Sequence, residues 1–209
     1  KTVLVIILVW MLLQTGLSLA GFYQDRTSIP PRFIFLLAPG LVLAASLFFS
    51  KNGRAFLDSL DLQKITLLHT VRVPVEFTLY FVCAAGLIPS LMTFEGNNLD
   101  ILSGLSPPLT YFLSRNPKNI NKKVLLTWNF ICLGLLLNIL VIAILAVQTP
   151  FQQLAFEQPN VGVTLFPFIW LPAVIVPVVL ISQLAAIRQL IISLRRSSVV
   201  SRNQIPQSI

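Results

Sequence analysis

The chain has 209 residues, of which 56% are hydrophobic and only 11% are charged, and its net charge is +8. A soluble domain has about 25% charged residues, so the composition excludes an ordinary soluble protein. The apolar runs are long and continuous, which predicts helices in a membrane and not the alternating segments of a barrel. The fold class predicted is therefore all-α: a polytopic transmembrane helical bundle, formed as one domain over residues 1–209.

Six apolar segments are long enough, or nearly long enough, to cross a bilayer, for which about 20 apolar residues are needed. The first resembles a signal peptide with a small-residue cleavage site, and we interpret it as a retained helix. In chain order the six predicted spans are 2–23, 31–50, 66–93, 99–114, 122–148 and 164–194.

The charge distribution predicts the orientation of these spans. Basic residues concentrate in residues 51–64, in residues 115–123 and in the tail 196–209, whereas the alternate connections hold mainly acids. Because cytoplasmic loops are rich in Lys and Arg, both termini are predicted to be cytoplasmic. Basic residues with this topological role do not indicate nucleic-acid binding, and no nucleic-acid partner is expected.

Two segments leave alternatives open. Residues 99–114 are short and contain Pro107 and Pro108, so they could form a re-entrant hairpin, but only a crossing puts both basic segments on one side. Residues 53–73 have apolar side chains at helical spacing and predict an interfacial helix. Pro74 either ends that helix before a new span or kinks one long helix.

The stretch HTVRVPVE places three ionisable residues inside an apolar segment. On a helix, His69, Arg72 and Glu76 follow at spacings of three and four, so they share one face. Arg72 and Glu76 are one turn apart and are expected to pair, because a lone charge in a membrane is costly. Asn129 and Gln183 are expected at a similar depth, which predicts an intramembrane polar cluster.

This cluster has two interpretations. It is either an ion pair that fixes helix packing, or a site at which Glu76 binds a proton or cation with Arg72 as its charge partner and His69 as a titratable neighbour.

A second polar group lies in MTFEGNNLDILSG. Glu95, Asn97, Asn98 and Asp100 are predicted to form an outer-loop cluster around a turn at Gly96. Oxygen-rich turns can hold a cation, but the spacing fits no EF-hand loop. The favoured interpretation is a helix cap, with Asn98 or Asp100 at the start of the next helix.

The sequence lacks the residues that several kinds of functional site require. One histidine and two separated cysteines, Cys83 and Cys132, cannot form a conventional zinc site or a bis-histidine haem site. No phosphate loop or nucleophile elbow is present. No metal and no cofactor are predicted, no catalytic residue is assigned, and whether the chain is an enzyme stays open.

At HTVRVPVE and MTFEGNNLDILSG the chain resembles an uncharacterised family of small bacterial polytopic inner-membrane proteins. The resemblance covers the second to fourth predicted spans. It implies a multi-pass protein of the bacterial inner membrane, and it implies no activity and no catalytic residues.

Three functions are compatible with these features, and the sequence favours them in the following order. The first is a non-enzymatic subunit or assembly factor of a membrane complex, whose partners are the lipid bilayer and other membrane protein subunits. The second is a proton- or ion-coupled carrier of small solutes that uses Arg72 and Glu76. The third is an intramembrane enzyme acting on a lipid or quinone-like substrate, with Arg72 holding an anionic head.

Overall fold

The computed structural model describes residues 2–114 and 121–203, and the described chain is 74% helical and contains no β-strand. One isolated bridge joins Val147 to Asn160. Arg115 and Lys118 of the predicted basic loop, and the end of the predicted tail beyond residue 203, lie outside the described residues. The helices are α1 (Thr2–Leu19), α2 (Ile34–Phe49), α3 (Lys51–Ser59), α4 (Leu62–Leu68), α5 (Arg72–Ala84), α6 (Ile101–Ser114), α7 (Lys122–Ala146) and α8 (Val176–Asn203).

Three helices in the described residues are long and apolar enough to cross a membrane: Leu62–Ala84, Lys122–Ala146 and Leu171–Arg196. A fourth span results if α2 and α3, which are bent by 92°, count as one. Three of the six predicted spans thus coincide with helices of sufficient length. The six-span count and the cytoplasmic termini stay predictions, because α1 and α6 are shorter than a span.

The range 53–73, predicted as one interfacial helix, contains two helices and a tight turn. Asp61 separates them by capping α4, since its carboxylate accepts the backbone N–H groups of Gln63 and Lys64. Asp58 on α3 binds Arg188 on α8 through two hydrogen bonds of 2.8 and 2.9 Å. The location of this segment at a membrane interface stays a prediction.

Pro74 lies inside one nearly continuous helix, so the kinked-helix alternative describes the structure and the fresh span does not. α4 leads through the 3-10 turn His69–Val71 into α5. Pro74 has no N–H to donate to Thr70, one turn earlier, and its ring crowds that carbonyl. The tighter turn just before the proline follows from this lost bond.

α8 is the central helix and packs against α2, α4 and α7. The start of α7 and the last part of α8 lie at the same end of the bundle, which we term the basic end. There Lys122 donates a hydrogen bond to Ser193. α2 and α8 are in tight contact at Gly40, where an added Cβ would lie 2.1 Å from Cγ of Pro177. Only glycine therefore allows these two helices to pack at this distance.

We expect Gly40→Ala to lower the stability of the protein by about 1–3 kcal/mol, because the methyl group would force α2 away from α8. Gly134→Ala is the matched control: nothing lies within 4 Å of its added Cβ, and alanine favours a helix. Thermal unfolding in detergent measures both. A Gly40→Ala protein as stable as wild type would contradict the packing described.

Candidate functional site

The centre of the bundle contains a buried ion pair between Arg72 on α5 and Asp100, the residue before α6. Nη1 of Arg72 lies 2.5 Å from Oδ1 of Asp100, and the two residues are only 2% and 4% exposed. Arg72 also donates to the backbone carbonyl of Cys132 at 3.3 Å and to Oε1 of Gln183 at 3.2 Å. The guanidinium thus connects α5, α7, α8 and the segment before α6.

Gln183 and Asn129 orient one another beside this ion pair. The Gln183 amide donates to the backbone carbonyl of Asn129 at 2.8 Å and to its side-chain oxygen at 2.9 Å. Asn129 in turn donates to the carbonyl of Leu125, one turn earlier. Because the amide nitrogen of Gln183 is fixed in this way, its oxygen faces Arg72.

The expected pairing of Arg72 with Glu76 is not what the structure shows, since the ion-pair partner of Arg72 is Asp100. Oε1 of Glu76 accepts a hydrogen bond of 2.6 Å from the amide of Asn98. Oε2 of Glu76 and Nε of Arg72 are buried and have no hydrogen-bond partner among the described residues. Arg72 therefore pairs with Asp100 from the loop and not with Glu76, which is the nearer carboxylate along the helix.

The segment before α6 reaches the cluster through a compact turn. Thr93 accepts backbone bonds from Gly96 and Asn98, and an added Cβ at Gly96 would lie 2.3 Å from the carbonyl of Ser90. Asn98 then accepts the backbone N–H of Asp100 at 3.1 Å and donates to the carbonyl of Met92. This turn positions the Asp100 carboxylate at Arg72.

The predicted outer-loop cluster is therefore divided. Glu95 and Asn97 are exposed, whereas Asn98 and Asp100 are buried in the cluster around Arg72. Asn98 caps the backbone at the start of α6, as expected for a capping residue. The sequence carries no signal of this division, because the apolar Leu99 is exposed between the buried Asn98 and Asp100.

His69 lies one turn from Arg72 on the same face of the helix and is 5% exposed. Neither of its ring nitrogens has a hydrogen-bond partner among the described residues. His69 does not border the cavity described next.

An apolar cavity of about 100 Å³ adjoins the cluster. Side chains of α2, α5, α7 and residues 171–179 form its wall, and its only polar lining residues are Arg72, Glu76, Asp100 and Asn160. A cavity of this size is larger than a single water molecule requires. Arg72 and Glu76 therefore border a cavity and are not enclosed on every side by packed side chains.

Two further cavities adjoin the first at Phe33, which borders all three. A groove of about 500 Å³ lies between residues 29–41 and residues 144–151, and Thr149 is its only polar lining residue. We call it the lateral groove. A polar cavity of about 380 Å³, which we call the vestibule, lies at the end opposite the basic end and is lined by Asp25, Arg26 and Gln148, among others.

Charged groups fix the wall of the vestibule. Asp25 pairs with Arg32 at 2.7 Å, and hydrogen bonds from Thr27 lower the pKa of Asp25. Arg32 also lies over the ring of Phe22 at 4.9 Å. The hydroxyl of the buried Tyr23 donates to Gln14. These contacts hold the segment that carries Phe33.

The cluster lies near the middle of all three membrane-length helices, because Arg72, Cys132 and Gln183 each fall close to the centre of their helix. Among residues 2–114 and 121–203, no group of three or more His, Cys, Asp or Glu side chains is placed to hold a metal ion.

Residues 31–191 match the model of a family described as a domain of unknown function, DUF8737, and the chain belongs to this family. No curated protein and no solved structure matches the chain. The match contains the whole cluster and its cavity, whereas α1 precedes the matched residues.

We expect Asp100→Asn to destabilise the protein by about 3–5 kcal/mol, because it leaves the Arg72 charge buried without a counterion. Glu95→Gln removes an exposed acid from the same loop and is expected to have little effect. Chemical or thermal unfolding in detergent compares the two.

The double variant Arg72→Met with Asp100→Leu removes both charges of the ion pair. It therefore separates the effect of an unpaired charge from the effect of a changed side-chain shape. It should be more stable than Asp100→Asn alone, because it leaves no unpaired buried charge. If Asp100→Asn alone were as stable as wild type, the ion pair would have no structural importance.

Proposed function

We propose that this chain is a multi-pass integral membrane protein that acts as a proton-coupled carrier of a small, mainly apolar solute. The observation that carries the proposal is Glu76: a second buried carboxylate, bordering a cavity, whose only side-chain hydrogen bond within the described part of the chain comes from the neutral amide of Asn98.

The charges at the cavity support a proton at Glu76. Arg72 is the only cation that borders this cavity in the described chain, and its charge is balanced by Asp100 at 2.5 Å. An ionised Glu76 would thus give the site a net charge of −1, which is costly in an apolar interior. Glu76 therefore requires a proton or a cationic solute, and a proton that comes and goes can couple solute binding to a gradient.

The helix breaks support a carrier. The 3-10 turn His69–Val71 and the first residue of α6 both lie beside Arg72, so one nearly continuous helix is locally distorted and another begins at the same depth. Interrupted helices that line a central site are typical of secondary transporters, since the free backbone groups face a cavity. Carriers also need a path to the site, and the vestibule adjoins the cavity at Phe33.

Six crossings fit this arrangement if residues 85–114 cross as one broken span. α6 has 14 residues, which gives a length of about 21 Å, shorter than the hydrocarbon thickness of about 30 Å. The irregular segment from Ala85 to Asp100 would occupy the remaining depth. Irregular backbone is tolerated there because it is buried in protein. Both termini then lie on one side, and a bacterial inner membrane is the location that we infer.

The enzyme hypothesis requires Arg72 to hold an anionic head, and Asp100 already occupies the guanidinium. The subunit hypothesis is supported by one observation: the first turns of α1 are exposed on every side, with Val3, Leu4, Val5 and Ile6 each more than half exposed. A partner subunit or lipid would cover them. We keep the subunit or assembly factor as the second candidate.

Infrared spectroscopy of the protein reconstituted in phosphatidylcholine vesicles tests the role of Glu76. We expect a protonated carboxylic acid band that shifts within minutes in D₂O and that is absent in Glu76→Gln. Glu157→Gln, which changes an exposed acid, is the control and should keep the band. A Glu76 band that does not shift over many hours would indicate a dry structural carboxyl and contradict proton exchange.

Cysteine labelling in intact cells tests the topology. With Cys83 and Cys132 replaced by alanine, an impermeant maleimide should label Gln153→Cys in intact cells, and Asn52→Cys only after the membrane is permeabilised. Both positions are exposed, so access alone does not distinguish them. Labelling of both from one side would contradict the proposed orientation.

A further inference from the structure

We propose that the solute is a single-chain amphiphile with an uncharged hydroxyl head, which enters sideways from the bilayer along the lateral groove and places its head at Arg72 and Glu76. This proposal rests on the proposed function, since it identifies the chemical class of the solute for the same site.

The lining of the cavities indicates an apolar chain. The inner cavity and the lateral groove share Phe33, Leu37 and Ile144 as walls. The groove opens on the face where Ile29, Phe151 and Ile34 are exposed at 74%, 58% and 37%. A slender hydrocarbon chain could extend from this face into the inner cavity without leaving an apolar environment, whereas a polar solute would lose its water with no compensating hydrogen bond.

The polar groups that border the cavity determine which head group of the solute can bind. Nε of Arg72 is a donor and Oε2 of Glu76 is an oxygen, and neither has a partner among the described residues. A hydroxyl group accepts from the first, and it can accept from or donate to the second in either protonation state of Glu76. An anionic head would instead meet two carboxylates and a cation that is already paired.

Phe33 lies between the lateral groove, which is the proposed entry path, and the inner cavity, which holds the proposed binding site. It borders the groove, the vestibule and the inner cavity, and it lies at the start of α2, directly after Arg32. Arg32 is held by Asp25 and by the ring of Phe22. The position of Phe33 thus depends on a surface ion pair at the vestibule.

Photolabelling of the full chain in phosphatidylcholine vesicles tests this proposal. The probe is hexadecanol with a diazirine on its chain, and the comparison probes are the matching alkane and fatty acid anion. We expect the alcohol to label peptides of residues 29–41 and 139–151, and unlabelled hexadecanol to compete about fivefold better than hexadecane, the factor for about one hydrogen bond. Equal competition by the alkane, or stronger labelling by the anion, would overturn the proposal.

Two substitutions on α7 locate the site. Ala143→Trp fills the inner cavity that Ala143 borders, and it should abolish the labelling. Leu137→Trp adds the same ring on the exposed face of the same helix and should leave the labelling unchanged. If both variants label as wild type does, the probe lies in bulk lipid and the proposal fails, whether or not Ala143→Trp is less stable.

Changes at Glu76 distinguish this proposal from the proton-coupled carrier. Glu76→Gln keeps one oxygen that can bond to the head, so it should reduce labelling by the alcohol less than Glu76→Leu does, while the exchangeable carboxylic acid band disappears. Glu76→Leu should reduce the preference for alcohol over alkane by about fivefold. A wild-type protein with an exchanging Glu76 band but no alcohol preference would refute the amphiphile alone. An alcohol preference without an exchanging band would refute proton coupling alone.

Discussion

The structure depends on the buried ion pair of Arg72 and Asp100. Two opposite charges at the centre of an apolar bundle are tolerated only if they lie close together and their remaining hydrogen bonds are made. The 2.5 Å contact meets the first condition, and Cys132 and Gln183 supply bonds that meet part of the second. To reach Arg72, Asp100 must enter the interior, and this requirement explains the compact turn at residues 93–98 and the late start of α6.

Using Asp100 as the counterion leaves Glu76 without one. In the sequence Glu76 is the acid nearer to Arg72, four residues along the same helix, whereas Asp100 is 28 residues away. In the structure Glu76 accepts a hydrogen bond from the neutral side chain of Asn98 and borders an apolar cavity. A carboxyl group in this position loses no structural contact when its protonation changes. We therefore assign to Glu76 the role of exchanging a proton.

The sequence predicts the helical class and the shared face of His69, Arg72 and Glu76, because helical spacing is a local property. It also indicates that Asn129 and Gln183 lie near that face, since their depths follow from where each helix begins. It does not reveal that Asp100 joins them. That contact spans 28 residues, and it depends on how an irregular loop folds inside the bundle. The sequence does indicate that α6 is short, because residues 99–114 are too few for a full span, and α6 is Ile101–Ser114.

The central claim is that the cluster borders an accessible cavity, and a cysteine pair on α7 tests it most directly. Ala143 borders the cavity, whereas Ala146, nearly one turn further along, is fully buried and does not. With the native cysteines replaced by alanine, the rate at which methyl methanethiosulfonate modifies Ala143→Cys and Ala146→Cys is measured in reconstituted vesicles. The account predicts rapid modification at residue 143 and almost none at residue 146. Equal protection of both thiols would show a tightly packed interior and contradict it.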